Sequence, residues 1–172
     1  LRRLRIHNFR SIIDANIEVH DYTMIVGANN AGKSNVLAAL RAFYEDVKWS
    51  ADDAPKVGKS SDETWVELAD KYKEGVTDQT LTVRRYFVSK DRFKANQSNI
   101  YGLVNGEPED AYFYGAKNIG TAKVGRVIYI PAQTTAADQM KTSGPSPLRD
   151  MLNFMLKHVV SESAAYKAVE DA

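Results

Sequence analysis

The residues Gly27-Ala28-Asn29-Asn30-Ala31-Gly32-Lys33-Ser34 satisfy the spacing G-x-x-x-x-G-K-[ST], and no other segment constrains the fold of this chain as much. The pattern has its physical meaning in one setting, a strand running into a glycine-bearing loop that opens a helix. The flanks predict that setting. Tyr22-Thr23-Met24-Ile25-Val26 is a short apolar run that reads as the entering strand, and Ser34 through Tyr44 repeats Val36, Leu37, Leu40, Phe43 and Tyr44 at helical spacing. Gly27 and Gly32 open backbone angles closed to residues with a Cβ, so the loop can aim successive N–H groups at one centre. The free amides and the positive dipole end of the following helix favour an anion at the same place. Lys33 is then placed to reach β and γ phosphates, and Ser34 to offer its hydroxyl to Mg²⁺, which makes ATP with Mg²⁺ the expected ligand. A glycine turn before an ordinary amphipathic helix is the simpler alternative, and the strand and helix signals weigh against it.

Composition narrows the class. With 172 residues and 44% apolar content, the chain can bury one sizeable core or two small ones. Its 23 basic and 22 acidic residues offer no whole-chain argument for nucleic acid. Arg2, Arg3, Arg5 and Arg10 crowd the start of the chain and read as a solvated strand face. The absence of cysteine excludes disulfides, thiolate metal sites and a cysteine nucleophile. No apolar run approaches the roughly 20 residues of a membrane span, so a cytoplasmic protein without a membrane partner is expected. The chain opens on Leu1 and stops at Ala172 inside a helical pattern, which suggests a piece of something longer. No apolar strand ending in an acidic pair follows Ser34, and no Ser-Gly-Gly signature is present, so nucleotide binding with weak hydrolysis is expected of these residues alone.

The remaining elements follow from alternation and punctuation. Leu4–Phe9 and Asn16–His20 alternate as two strands joined around Ser11 to Ala15. Trp49–Thr64 reads as an exposed loop in which Asp52 and Asp53 are solvated. Thr64–Leu68, Leu81–Val88 and Asn99–Val104 predict an antiparallel layer, with Asn105-Gly106 as a hairpin turn. Arg126–Ile130, stopped by Pro131, predicts a strand buried on both faces beside the phosphate-loop strand. Ser146-Pro147 predicts a capped helix start, and the stripe Leu148, Met151, Leu152, Met155, Leu156 and Val159 predicts packing against the sheet. His7, His20 and His158 have no metal-ligand spacing.

Ile6-His7-Asn8-Phe9-Arg10-Ser11, Ile17, and Ile25 through Leu40 around the phosphate loop together resemble the N-terminal lobe of ABC-type ATPases of the RecF, SMC and double-strand-break-repair group. Asn29-Asn30 and Tyr129-Ile130-Pro131-Ala132 look most like the OLD (overcoming lysogenization defect) family of ATP-dependent endonucleases and related phage-defence ATPases. The match is specific over roughly the first 45 residues and agrees only in element order beyond them. The resemblance implies an α/β fold: a P-loop NTPase head lobe with a central mixed sheet, an antiparallel β layer and flanking helices. The expected layout is strands, loop and first helix over 1–48, the β layer over 49–125, and a buried strand with C-terminal helices over 126–172.

It also implies site residues. Arg10 and Ser11 would lie against the nucleotide phosphates, and an arginine fork suits phosphate oxygens. Asn29, Asn30, Ala31, Gly32, Lys33, Ser34 and Asn35 would line the nucleotide, and Gln133 would contact Mg²⁺ and the attacking water as a catalytic residue beside Lys33. A second ATPase head would complete each site, and DNA would be a partner of the full-length protein. Any Toprim nuclease domain would follow Ala172, so no nuclease activity is expected here. A transporter nucleotide-binding subunit, a non-catalytic nucleotide-binding scaffold and, less so, a nucleoside kinase are the competing readings.

Overall fold

The computed structural model describes residues 1–45, 50–54, 63–71, 80–116, 127–130 and 146–162. The chain divides into two compact units, Leu1–Arg126 and Val127–Ala172. In the first unit the described strands are β1 (Arg3–Phe9), β2 (Ile12–Glu18), β3 (Thr64–Lys71), β4 (Thr80–Val88), β5 (Ile100–Val104) and β6 (Glu107–Pro108). They form one sheet in the order β2-β1-β3-β4-β5-β6, antiparallel at every pairing. The antiparallel layer is therefore as expected, but it also absorbs the first two strands. The central mixed sheet is not found among the described residues.

The alternation in β1 explains the layering. Leu4 and Ile6 point to one face and are buried, while Arg3, Arg5 and His7 occupy the other. Helix α1 (Lys33–Glu45) lays Val36, Ala39, Ala42 and Phe43 on the apolar face, against a core that includes Val66 and Leu68 of β3, Val83 and Phe87 of β4, and Ile100 of β5. Phe9, Phe43 and Ile6 are fully enclosed, each contributing about 2–3 kcal/mol of burial. Arg85 shares this face of β4 and is itself buried. Its Nη1 donates to the carbonyls of Phe43 at 2.8 Å and Ala42 at 3.5 Å, so a charge satisfies the open carbonyl end of α1.

The opposite face is polar and aromatic. Glu67 is buried and accepts two bonds from Arg84, at 2.7 and 3.1 Å, with Arg3 at 3.6 Å and Arg5 at 3.9 Å. Trp65 stacks on His7 at 5.0 Å and carries the Arg84 guanidinium 4.0 Å from its ring centre. Arg3 and Arg5 keep side chains 43% and 35% exposed, and to the solvated face expected of them the structure adds a buried carboxylate partner. The pairing arose because β3 is covered on both sides, and a buried Glu67 demands positive partners.

Three further expectations change. The first hairpin is tighter than Ser11–Ala15: β2 begins at Ile12, and the pairs His7 with Asp14 and Phe9 with Ile12 leave only Arg10 and Ser11 in the turn. Arg10 takes a left-handed φ of 53°, which lets the strands close within two residues. Tyr22–Val26 is not a strand. Tyr22 and Val26 stand 78% and 77% exposed, because no neighbouring ladder among the described residues takes their N–H and C=O groups. Val127–Ile130 likewise has no ladder among the described residues, and Tyr129 and Ile130 are exposed instead of buried.

In the second unit, α2 (Pro147–Glu162) starts where expected. Ser146 Oγ accepts from the Arg149 amide at 3.1 Å, and the Ser146 carbonyl accepts from Asp150 N at 3.0 Å, an N-cap with Pro147 in the first turn. Met151, Leu152, Met155 and Leu156 are exposed, and Leu148 is half-buried. The Val159 side chain and residues 131–145 lie outside the described residues. Among the described residues no helix is long and apolar enough to cross a membrane.

Candidate nucleotide-binding site

The loop between Gly27 and Ser34 is curled as its residue types require. Asn30 sits at φ 65° and Gly32 at φ 89°, both in the left-handed region. Asparagine tolerates that region better than most residues, while at Gly32 space matters too: an added Cβ would lie 3.1 Å from Ser11 Oγ. The Ala31 amide donates to the Ala28 carbonyl at 3.2 Å, closing the bend. The Gly32 carbonyl then accepts from Asn35 N at 2.9 Å and Val36 N at 3.2 Å, which begins α1. Among the described residues no acceptor takes the amides of Asn29, Asn30, Gly32, Lys33 or Ser34. Five donors therefore remain around one bend, open to solvent or to an anion.

Lys33 folds back over this bend. Its Nζ donates to the Gly27 carbonyl at 2.8 Å and the Ala28 carbonyl at 2.7 Å. The ammonium is thereby bonded to the same loop whose amides are unengaged, so positive charge and free hydrogen-bond donors belong to one short segment. Ser34 is exposed at the start of α1, where its hydroxyl is accessible to a cation. Tyr22–Val26 enters the loop without a ladder; Thr23 Oγ1 instead accepts from the His20 amide at 2.9 Å, forming a local turn.

The turn between β1 and β2 reaches the same place from the sheet. Ser11 Oγ accepts from Asn35 Nδ2 at 2.8 Å, joining the hairpin tip to the first turn of α1. Its position against Gly32 adds a second point of approach. Arg10, one residue earlier, is held by Asp53 of the 3₁₀ turn Ala51–Asp53. The Arg10 amide donates to the Asp53 carbonyl at 2.8 Å, and Arg10 Nε donates to Asp53 Oδ1 at 2.8 Å. The guanidinium also lies 5.3 Å from the Phe9 ring centre. The side-chain bond uses Nε and leaves the two Nη groups outside it.

Asp53 was expected to be solvated, and it is buried. Its Oδ2 accepts from Ser50 N and Ser50 Oγ, each at 3.1 Å. Burial alone pushes the carboxyl up, but the bonds from Arg10 and Ser50 and the Arg10 charge outweigh it and hold the group below the usual aspartate range. The sequence did carry a signal for this: Ser50 and Asp53 have the Ser-x-x-acid spacing of a capping box. What it did not carry was the partner, 43 residues away.

The structure therefore joins Ser11 to the loop residues Asn29, Asn30, Ala31, Gly32, Lys33 and Ser34 and to Asn35 of α1, and Arg10 precedes Ser11 in the turn, bonded to Asp53. Gln133 lies outside the described residues.

Comparison with known proteins bears on this site. The profile of the AAA ATPase domain family matches residues 1–136, which spans the hairpin, the loop and the sheet. An uncharacterized protein of Methanocaldococcus jannaschii is 37% identical over 97 residues, covering 55% of this chain. The chain matches only 26% of that protein's length. Among solved structures, the SMC head domain from Thermotoga maritima aligns over 69% of this chain and 40% of its own, at 22% identity and a TM-score of 0.45.

Proposed function

This chain belongs to the AAA ATPase domain family, and from that premise we propose that it binds Mg-ATP in the loop Gly27–Ser34. The amides of Asn29, Asn30, Gly32, Lys33 and Ser34 take the phosphate oxygens, and Lys33 exchanges its two loop carbonyls for the β and γ phosphates. Ser34 supplies a hydroxyl to Mg²⁺, and Ala31 holds the bend. Arg10, Ser11 and Asn35 border the phosphates from the sheet side. The observation that carries this reading is the convergence of unengaged amides and the Lys33 ammonium on one curled loop. Bound Mg²⁺ would neutralise the charge that develops on the phosphates during hydrolysis.

The narrower proposal concerns what the ATPase drives. The Asn8-Phe9-Arg10-Ser11 end of β1 and the Asn29-Asn30 pair support a DNA-processing, DNA-repair or phage-defence ATPase of the OLD, RecF or SMC kind. In that reading a second head completes the site, Gln133 handles Mg²⁺ and water, and DNA is a partner of the whole protein.

Calorimetric titration with Mg-ATP, beside Lys33→Ala, tests the site. Micromolar binding by the parent chain and a loss of about tenfold or more in the variant are expected, the removal of one charge-assisted contact of at least ~1.4 kcal/mol. Equal heats from both proteins would discard the nucleotide reading.

A further inference from the structure

We propose that Asp53 is the positioning residue for Arg10, fixing the guanidinium beside the phosphate loop so that the hairpin tip acts as one arm of the nucleotide site. The inference rests on the nucleotide reading above and adds a residue outside every phosphate-loop motif.

The first observation is strain. Arg10 holds φ 53° in a two-residue turn, a conformation that suits glycine or asparagine and not a branched cation. Such a residue keeps its conformation only where its surroundings over-determine it. The second observation is the surrounding itself. Asp53 binds both the backbone and the side chain of Arg10 at 2.8 Å each. The carboxylate is in turn immobilised by Ser50 N and Oγ at 3.1 Å, and the Asp53 amide donates to the Ser50 carbonyl at 3.0 Å. Both carboxylate oxygens are thus occupied, and the group is buried while Arg10 stays 41% exposed. The third observation is place. Ser11, the next residue, is bonded to Asn35 of α1 and abuts Gly32. The clamp therefore holds the residue adjacent to Ser11, and its side-chain bond to Asp53 is made through Nε, not through either Nη.

A surface salt bridge of ordinary kind would need none of this. It would not require a left-handed arginine, a doubly bonded carboxylate, or contact with a phosphate-binding glycine through the adjacent residue.

Mg-ATP titrations of the parent chain, Arg10→Ala, Asp53→Ala, the double variant, Ser50→Ala and Lys33→Ala decide the matter, with melting curves to confirm folding. Arg10→Ala and Asp53→Ala are each expected to weaken binding about tenfold, and the double variant about tenfold as well, because one path is removed once. Ser50→Ala loosens the same turn but leaves Arg10 its partner, so binding within about twofold of the parent is expected. Should Asp53→Ala fail to fold, Asp53→Asn takes its place in the cycle. Parent-like binding by the Asp53 variant, a product of the two losses in the double variant, or a tenfold loss in Ser50→Ala would each overturn the inference. If Lys33→Ala loses binding while Arg10→Ala does not, the nucleotide reading stands and the positioning role falls. If Lys33→Ala binds like the parent, the nucleotide reading itself falls and takes the positioning role with it.

Discussion

Two hairpin turns in the same sheet, Arg10-Ser11 between β1 and β2 and Asn105-Gly106 between β5 and β6, have the same length and opposite chemistry. Asn105 and Gly106 adopt φ values of 54° and 87°, which these residues reach at little cost, and open space surrounds Gly106. The turn needs no tertiary support. Arg10 adopts nearly the same angle, 53°, with a side chain that disfavours it, and it is braced by Asp53 and by the contact of Ser11 with Asn35. A turn built of its preferred residues folds itself, whereas one built against preference has to be held, and here the held turn is the one at the candidate site.

The comparison can be broken most directly at Gly32. Gly32→Ala imposes a Cβ at a φ of 89° and 3.1 Å from Ser11 Oγ, so it strains the loop and forces the Ser11 hydroxyl to shift by a few tenths of an ångström. A stability loss of about 1–2 kcal/mol and a fall in Mg-ATP affinity of about tenfold or more are expected, read by chemical denaturation and calorimetry. Parent-like affinity would show that the tip and the loop act independently. Gly106→Ala imposes similar strain, φ 87°, in open space. It is expected to lower stability by about 1 kcal/mol with nucleotide affinity unchanged. A drop in affinity there would erase the distinction between the two turns.

The smallest effect lies in the pH dependence. Since the Asp53 carboxyl is held below its ordinary value, the clamp contributes stability above the unfolded value near pH 4 and loses it as pH falls through the folded value. Arg10 is 41% exposed, so the contribution is at most about 1 kcal/mol. Melting temperatures of the parent chain and Asp53→Asn should differ at pH 6 and converge as pH falls below 4. A gap that persists at the lowest pH would mean that the carboxylate charge is not what braces Arg10.

How much of this was legible depends on the distance over which each feature is decided. The α1 helix was readable from the spacing of Val36, Leu40 and Phe43, and the Asn105-Gly106 turn from two adjacent residues. The loop residues Gly27 to Ser34 were readable because backbone freedom and charge at fixed spacing are local properties. Tyr22–Val26 was misread as a strand for a related reason: β-branched composition signals fitness for a sheet, but a strand exists only where a neighbour supplies the other half of its hydrogen bonds. The stripe on α2 was legible as a face of the helix and no further, because periodicity specifies a face and not what lies against it. Asp53 looked solvated because its partner Arg10 lies 43 residues away, and a sequence does not display pairings across that distance.

Residue chemistry by itself decided that a glycine-bearing bend would open a helix, that Leu4 and Ile6 would face a core, and that Ser146 would cap a second helix. These outcomes depend on angles and spacings within a turn or two. Tertiary structure alone decided that the β1–β2 tip would rest on Gly32 and Asn35, that Arg10 would be gripped by Asp53, and that Glu67 would sit buried among Arg3, Arg5 and Arg84. Each of these joins residues distant along the chain, where the free energy of a contact includes the closure of the intervening loop and the desolvation of both partners.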